Sequence, residues 1–470
     1  IMPVINKTYW LILATASSGM FLASLDFSVN VGLPDIARSL DANDTAIYQI
    51  ITVYLGATAT VQLILGRIAD VYGLKLTYIV GLLAYGIAVL LIGIAATLDS
   101  VITIRILQAM GNAVFLALSP AIVTASAPDA YRGQALGWMT AIGMSGMILG
   151  SLGAGFVIDH YGWRWIFLAR VPLTIIALGM AIWFLPTIRK ASEADLDSPS
   201  ALLIVASILF LMLYLHQTQA TGWLSLNTTL YLAISIVAVY CLIRRQMTIS
   251  TPFIPSYLLR QSEVSLGLVC NFLMYFAIFV NWFVLPFFAA EFIGMGPASI
   301  GVLLTIPAAC LLVSSPLGGA FADHTHPAFA STVGMFIIVA FLTSFQTVDN
   351  HSTGFAIAVR MAGLGIGMGI FQSSNLSLIM GNVGTRELGI AGGLSGLSRN
   401  LGTVISVVLL GAIFVALKTS GQESVELTSL HTREAQATYI AAFKFVYAIA
   451  AVVALLGFLL NAWLWQYRKK

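Results

Sequence analysis

The sequence predicts an all-α polytopic membrane protein with about fourteen transmembrane helices. Hydrophobic residues make up 59% of its 470 residues and charged residues only 9%, which is too little charge to cover a water-soluble surface. Apolar stretches of about 20 residues, long enough to cross a bilayer core, follow one another along nearly the whole chain. Each must be helical, since lipid offers no hydrogen-bond partner to an open backbone amide.

The apolar stretches are separated by short polar or glycine-containing connections, which set the expected ends of each helix. The expected spans are residues 10–33, 46–65, 76–97, 101–124, 134–158, 164–186, 199–216, 228–244, 265–290, 298–321, 331–348, 354–379, 388–415 and 439–465.

Basic residues indicate which side of the membrane each connection faces. With the amino terminus in the cytoplasm, the inner connections hold many more lysines and arginines than the outer ones, as the positive-inside rule requires. An even number of spans then returns the carboxyl terminus to the cytoplasm. We therefore predict a protein of the plasma (inner) membrane with both termini cytoplasmic. The net charge of +3 reflects this topology and does not indicate nucleic-acid binding.

A repeat divides the chain into two related halves. Three landmarks recur at offsets of 253, 255 and 254 residues, namely Asp70 with Asp323, Arg105 with Arg360 and Arg132 with Arg386. A nearly constant offset at three sites predicts two parallel six-helix bundles with a ligand site between them near the membrane midplane. The predicted units are an amino-terminal bundle (1–190), a linker with two additional helices (191–260) and a carboxyl-terminal bundle (261–470).

Several local motifs support a specific family. They are the run 25–36 (Leu-Asp-Phe-Ser-Val-Asn-Val-Gly-Leu-Pro-Asp-Ile), the group Gly66, Asp70, Gly73 and Lys75, the group Arg105, Gln108 and Gly111, the run 159–167, and the run 399–402. With these motifs the chain resembles the major facilitator superfamily, and more closely its fourteen-span drug:proton antiporter branch. The resemblance implies a secondary transporter, with Asp26 and Arg105 in proton coupling.

Two positions depart from the pattern of that branch. Gly150 is followed by Ser151, where the fifth-span antiporter motif normally carries proline. Arg170 stands where the family usually has an uncharged asparagine. The first departure weakens the link to antiport, and the second places a costly charge inside a span.

The ionisable residues within the predicted spans are Asp26, Arg105, Arg170, Arg360 and Arg399. Asp26 can be read in two ways, as a proton carrier or as the permanent partner of an arginine or of polar neighbours such as Asn30. The first three arginines lie near the outer ends of their spans, where snorkelling to the interface is an alternative to a buried role. Arg399 lies roughly 16 Å deep, too far to snorkel.

A second group of residues is expected to hold one state of the transport cycle. This conformational latch consists of Gly66, Arg67, Asp70, Gly73 and Lys75, with Asp323 as its copy in the second half. Asp70 can bind a helix terminus or a facing arginine, and the glycines allow close helix approach. The alternative is a tight cytoplasmic turn between spans. The second copy has His324 and His326 in place of a lysine, so we expect it to hold more weakly.

Polar and charged residues within the spans are candidates for contact with a substrate. They are Asn30, Gln108, Arg170, Asn271, Tyr275, Asn281, Arg360, Gln372, Asn375 and Arg399. Interhelical hydrogen bonding is the alternative role for each of them.

The predicted function is secondary active transport, as proton-coupled efflux of small amphipathic compounds or drugs. The alternative is export of an anionic or carboxylate-bearing metabolite, such as an organic acid or siderophore-like compound, with Arg170 and Arg399 as counter-charges. The expected partners are a small-molecule substrate, protons and the lipid bilayer. We expect no enzymatic activity, cofactor or metal, since no phosphate-binding loop or metal-ligand spacing occurs in the sequence. The sequence does not indicate whether a periplasmic or outer-membrane protein joins it.

Overall fold

A computed structural model of the chain describes residues 7–41, 47, 49–187, 197–223, 225–249, 251–291, 293–349, 352–419 and 433–469. Fourteen helices in this part are long and apolar enough to cross a membrane. They are α1 (Lys7–Ser39), α2 (Gln49–Tyr72), α3 (Leu74–Gly93), α4 (Leu98–Ser126), α5 (Asp129–Tyr161), α6 (Trp165–Phe184), α7 (Ser198–Thr218), α8 (Leu226–Gln246), α9 (Ser262–Ala290), α10 (Ser299–His324), α11 (Pro327–Thr347), α12 (Gly354–Gly381), α13 (Leu388–Leu417) and α14 (Gln436–Tyr467).

The predicted fold class is confirmed. Helices α1 to α6 form one bundle and α9 to α14 form the other, and each bundle has its own buried apolar core. The bundles meet where α2 packs on α13 and where α5 packs on α10. The described residues contain no β-strand. The predicted boundaries at residues 190 and 260 stay a prediction; residues 188–196 lie outside the described part of the chain.

The two additional helices, α7 and α8, form a hairpin on the outside of the seam between the bundles. Ile204 and Ile208 of α7 share a buried cluster with Leu63 of α2 and Ile390 of α13, so α7 contacts both bundles. An ion pair closes one end of the hairpin, where Arg245 donates to the Asp197 carboxylate at 2.6 and 3.0 Å. These hydrogen bonds lower the pKa of the Asp197 carboxyl.

The first predicted span is not one continuous helix. Its two helical parts are Lys7–Ser24 and Phe27–Ser39, with a break at Leu25 and Asp26. At the break the Leu25 carbonyl accepts from the Ser28 amide at 3.0 Å and also from Arg170 at 3.0 Å. Asp26 thus lies at a break in the helix, next to Arg170 of α6.

The expected loop from Gly66 to Lys75 is wrong in its extent. Helix α2 continues through Asp70 to Tyr72, and Leu74 already begins α3. Only Gly73 separates them, with φ at +103°, a conformation that glycine adopts readily. In the second half, Asp323 likewise lies inside a helix, since α10 ends at His324. Both aspartates are thus held on rigid helix ends.

Glycines set the separation of helices within each bundle, and Gly365 gives a test of this packing. A β-carbon at Gly365 of α12 would lie 2.5 Å from the Pro307 carbonyl oxygen and 2.9 Å from the Cys310 β-carbon of α10. We expect Gly365→Val to lower stability by about 1–3 kcal/mol through overpacking. The measurement is thermal unfolding of the purified protein in detergent. Gly301→Val in α10 is the control, because nothing lies within 4 Å of its β-carbon position; equal unfolding midpoints would contradict this packing.

Candidate functional site

Asp26 lies at the centre of a buried polar network formed by three helices of the amino-terminal bundle. Its side chain is 9% exposed and forms ion pairs with Arg170 of α6 and, at 3.4 Å, with Arg105 of α4. The Gln108 amide donates to both carboxylate oxygens, at 3.0 and 3.2 Å. Two arginines therefore surround one carboxylate, which leaves the network with an excess positive charge.

The two arginines are held by further contacts. Arg170 also donates to the Ser28 hydroxyl at 2.6 Å and to the Tyr85 hydroxyl at 3.4 Å. Arg105 donates to the Gln108 amide oxygen at 2.8 Å, and its guanidinium carbon lies 4.3 Å from the centre of the Tyr54 ring. This is the spacing of a cation–π contact. The snorkelling alternative is wrong for both arginines, since each is 2% exposed and faces Asp26.

This network uses two residues that were candidates for substrate contact. Gln108 is fully buried with its amide bonded to Asp26, and Arg170 is bonded to the same carboxylate. Asn30, the polar neighbour expected beside Asp26, is exposed. Of the two readings of Asp26, the structure shows the ion-paired arrangement.

A cavity lies between the two bundles, bounded by α1, α4 and α5 on one side and by α9, α12 and α13 on the other. The free space in and around it is about 420 Å³, a figure that includes open solvent at its mouth. Its lining residues are Met20, Leu116, Pro120, Met139, Thr140, Asn271, Tyr275, Gln372, Leu376, Gly392, Ser395, Gly396 and Arg399. Of the ten candidates for substrate contact, four therefore lie together here: Asn271, Tyr275, Gln372 and Arg399.

The polar side of the cavity is organised around α13. Asn271 donates to the Ser395 carbonyl at 2.9 Å and to the Ser398 hydroxyl at 3.3 Å, which ties α9 to α13. The Arg399 guanidinium carbon lies 5.9 Å from the centre of the Tyr275 ring. The Nη2 atom of Arg399 is buried and has no hydrogen-bond partner within the described residues.

Three other candidates lie away from this cavity. Asn281 accepts a hydrogen bond from the Tyr447 hydroxyl at 3.0 Å, inside the carboxyl-terminal bundle. Asn375 donates to the Gly267 carbonyl at 3.0 Å. Arg360 lies near the start of α12, where it donates to the Ser344 carbonyl at 3.2 Å. The alternative of interhelical hydrogen bonding describes Asn281 and Asn375 in this structure.

The aspartates of the expected latch join the two bundles. Asp70 of α2 accepts hydrogen bonds from the amides of Gly389 at 2.7 Å and Ile390 at 2.9 Å, at the start of α13. We call these, together with the equivalent bonds of Asp323, the interbundle aspartate contacts. A carboxylate is a suitable acceptor here, because the first amides of a helix have no hydrogen-bond partner within the helix and carry partial positive charge.

Asp323 of α10 makes the reciprocal contact. It accepts from the amides of Gly133 at 2.7 Å and Gln134 at 2.8 Å, near the start of the helical part of α5. The second copy therefore forms the same number of backbone hydrogen bonds as the first. The expectation that it holds more weakly stays a prediction. Its stated reason does not apply in this structure, because the basic end of the first copy does not reach the second bundle: Lys75 donates to the Ile182 carbonyl of its own bundle at 2.8 Å.

Glycines allow these helix ends to approach. A β-carbon at Gly66 would overlap the Gly389 carbonyl, and one at Gly319 would overlap the Gly133 carbonyl. Arg67 is buried beside Asp70, whereas Gly73 forms the turn to α3. Of the six latch residues, Gly66, Asp70 and Asp323 therefore meet the opposite bundle directly.

Several residues of these sites were missed from the sequence. Tyr54, Tyr85 and Ser28 contact the Asp26 network, but nothing in their local sequence distinguishes them from other polar residues in spans. The backbone donors at Gly133 and Gly389 could have been found, because they lie 256 residues apart, one residue after Arg132 and three residues after Arg386.

Two helical bundles around a shared cavity, joined by reciprocal contacts at one end, define the architecture of a membrane transporter. The chain belongs to the Major Facilitator Superfamily, whose sequence model matches residues 16–269 and 267–470. It is therefore a multi-pass membrane transporter, and this family membership indicates a non-enzymatic role.

Individual transport proteins are also similar to this chain. The chain is 25% identical over 458 residues to the riboflavin transporter RibZ of Clostridioides difficile, covering 97% of each protein. It is 24% identical to the tetracenomycin C resistance and export protein of Streptomyces glaucescens, over 87% of this chain and 76% of that protein. The crystal structure of the human organic anion transporter MFSD10 matches the fold with a TM-score of 0.67 at 11% identity, covering 97% of this chain and all of that chain.

The coupling between Asp26 and Arg170 can be measured with a double-mutant cycle. We expect Asp26→Asn to destabilise the protein by about 3–5 kcal/mol, because it leaves two buried arginines without their counter-charge. Arg170→Met should cost less, because Asp26 keeps Arg105 as its partner. The double variant should lose less than the sum of the two. The measurement is the free energy of unfolding in mixed micelles. The control is the exposed pair Asp35 and Arg38, whose removal should leave stability unchanged; additive losses at Asp26 and Arg170 would contradict the pairing.

Proposed function

We propose that this protein is a proton-coupled exporter of small amphipathic compounds that works by alternating access in the plasma membrane, with both termini in the cytoplasm. The observation that carries the proposal is the pair of interbundle aspartate contacts at one end of the molecule. Asp70 and Asp323 lie near the ends of α2 and α10. In the proposed topology these helix ends face the cytoplasm, as the amino terminus does. Four hydrogen bonds between bundles close that side beneath the cavity.

The contacts suit a reversible gate. Each joins a carboxylate to two backbone amides, and water can satisfy all of these groups when the bundles separate. In our proposal these contacts form in the outward-facing state and break when the cavity opens to the cytoplasm. The latch roles of Gly66, Arg67, Asp70, Gly73, Lys75 and Asp323 belong to this proposal.

The Asp26 network supports a coupling role at the opposite end of the same bundle. Arg105 and Arg170 lie near the first residues of α4 and α6. In the proposed topology both helices start on the outer side. A proton that binds Asp26 must compete with both arginines for the same carboxylate oxygens. Because these arginines belong to α4 and α6, protonation of Asp26 is linked to displacement of either helix. We therefore propose Asp26 and Arg105 as coupling residues, with Arg170 as a further member.

The substrate class of the proposal follows from the cavity and the relatives. The cavity is lined by Met, Leu and Pro side chains on one side and by polar groups on the other, which suits amphipathic molecules. The relatives named for riboflavin transport and for tetracenomycin C export handle small organic molecules.

Proton flux in liposomes tests the coupling. With a pH gradient imposed across reconstituted vesicles, we expect an amphipathic substrate to trigger proton movement in the wild type and not in Asp26→Asn, because the variant lacks the group that exchanges arginine for a proton. An internal pH-sensitive dye reports the flux. Asp35→Asn on the same helix is the control and should retain it. Flux that persists in Asp26→Asn would remove the role of Asp26, and a panel of amphipathic compounds that triggers none would contradict coupled transport.

Cysteine labelling tests the gate. In a background with Cys241, Cys270 and Cys310 replaced, Ser395→Cys reports on access to the cavity. We expect Asp70→Asn with Asp323→Asn to speed its labelling by a membrane-impermeant maleimide in inside-out vesicles by roughly tenfold or more, because hydrogen bonds to ionised groups are lost. Asp129→Asn is the control, since this cytoplasmic carboxylate is 90% exposed and pairs within its own bundle. Unchanged labelling in the double variant would argue against the gate.

A further inference from the structure

The two walls of the central cavity differ in character. The amino-terminal bundle contributes Met20, Leu116, Pro120 and Met139, which form an apolar surface. Thr140, the polar residue on this side, donates its hydroxyl to the Leu136 carbonyl of its own helix at 2.9 Å. A bound molecule therefore meets one wall that offers mainly apolar contact.

The opposite wall, from the carboxyl-terminal bundle, carries the charge. Arg399 is the one charged side chain among the described residues that line the cavity, and no carboxylate lines it. It lies eleven residues into α13, roughly 16 Å from the start of that helix and therefore near mid-membrane. A positive charge at this depth is costly unless it meets an anion, a carbonyl or water.

Arg399 differs from the other membrane arginines, which are held by a carboxylate or by backbone carbonyls. Arg105 and Arg170 share Asp26, and Arg360 donates to backbone carbonyls at the outer end of its helix. Arg399 forms no ion pair with any described residue, and its buried Nη2 atom has no hydrogen-bond partner among them. A buried guanidinium N–H without an acceptor is a donor that a ligand can satisfy.

We infer that the cavity selects amphipathic monoanions, with a carboxylate bound by Arg399 and the apolar body against the amino-terminal wall. This inference rests on the proposed function and narrows its substrate class. Tyr275 and Gln372 line the cavity beside Arg399, and the Tyr275 hydroxyl interacts with both of these side chains. The Asn271 amide donates to the Ser395 carbonyl, and the Arg399 guanidinium is therefore the group proposed to bind the ligand carboxylate.

The same geometry disfavours lipophilic cations. A cationic ligand needs a carboxylate or a ring of carbonyls in the cavity, and its described lining supplies no carboxylate. Asp26 is bonded to Arg105, Arg170 and Gln108 and does not line the cavity. Arg170, the second counter-charge expected for an anion, is occupied by Asp26, which leaves Arg399 to fill that role.

Three matched probes test the inference in the purified full-length protein. They are 2-naphthoate, 2-naphthamide and 2-naphthylmethylammonium, which share an aromatic body and differ in charge. We expect naphthoate to bind roughly tenfold or more tightly than the amide, as hydrogen bonds to a charged group allow, and the cation to bind most weakly. Isothermal titration gives the three affinities. Affinity for the anion no greater than for the amide, including undetectable binding of both, overturns the inference.

Variants assign the preference to Arg399. We expect Arg399→Gln to reduce naphthoate affinity to that of the amide while leaving amide binding unchanged, and Arg399→Lys to retain part of the preference. Arg164→Gln at the outer end of α6 is the control, because Arg164 bonds to Ala95 and Ser39 and lies outside the cavity. A preference that survives in Arg399→Gln overturns the assignment. If a variant fails to fold, the comparison of the three probes on the wild-type protein still tests whether the cavity prefers anions.

The proton-flux measurement separates this inference from the proposed function. Flux triggered equally by naphthoate and naphthamide would overturn the anion preference and leave coupled transport intact. Preferential binding of naphthoate without flux from any probe would support the anion site and contradict coupled transport.

Discussion

The arrangement of the two bundles depends on an electrostatic match between an aspartate and the start of a facing helix. The amides at the start of α13 and at the start of the α-helical part of α5 lie against the opposite bundle and have no partner within their own helix. Each pair receives a carboxylate from across the seam. The match requires backbones in near contact, which Gly66, Gly133, Gly319 and Gly389 permit. Asp70 and Asp323 occupy equivalent positions in the two halves, so the same type of contact joins the bundles on both sides of the seam.

Charge in the membrane interior is handled differently in the two halves. The amino-terminal half buries Asp26 with two arginines, so its ionised groups satisfy one another away from the cavity. The position 255 residues later is Asn281, which bonds to Tyr447 and needs no counter-charge. The carboxyl-terminal half instead places Arg399 at the cavity, where, among the described residues, no carboxylate pairs with it and its buried Nη2 atom has no hydrogen-bond partner. The repeat thus conserves backbone contacts at the seam while its polar interiors have diverged.

The transmembrane spans could be predicted from the sequence because hydropathy is a local property. The pair Asp70 and Asp323 could be predicted because the two residues recur at a nearly constant offset. The sequence was insufficient where the outcome depends on contacts between distant residues. The break at Leu25 is stabilised by Arg170, 145 residues away, and no local signal in an apolar run marks it. A constant offset also does not predict equivalent neighbours: Arg105 faces a carboxylate, whereas Arg360 faces the carbonyl end of α11.

The separation of charges constrains how coupling can work. In the proposed cycle the proton acts at Asp26 in one bundle, while the anionic end of the substrate lies on Arg399 in the other. Direct competition for one group is then excluded, because neither ligand touches the other's charged residue. Coupling must pass through the relative position of the bundles, by way of α4, which carries Arg105 and also supplies Leu116 and Pro120 to the cavity wall. A shift of α4 on protonation of Asp26 would change the apolar wall against which the body of the substrate packs.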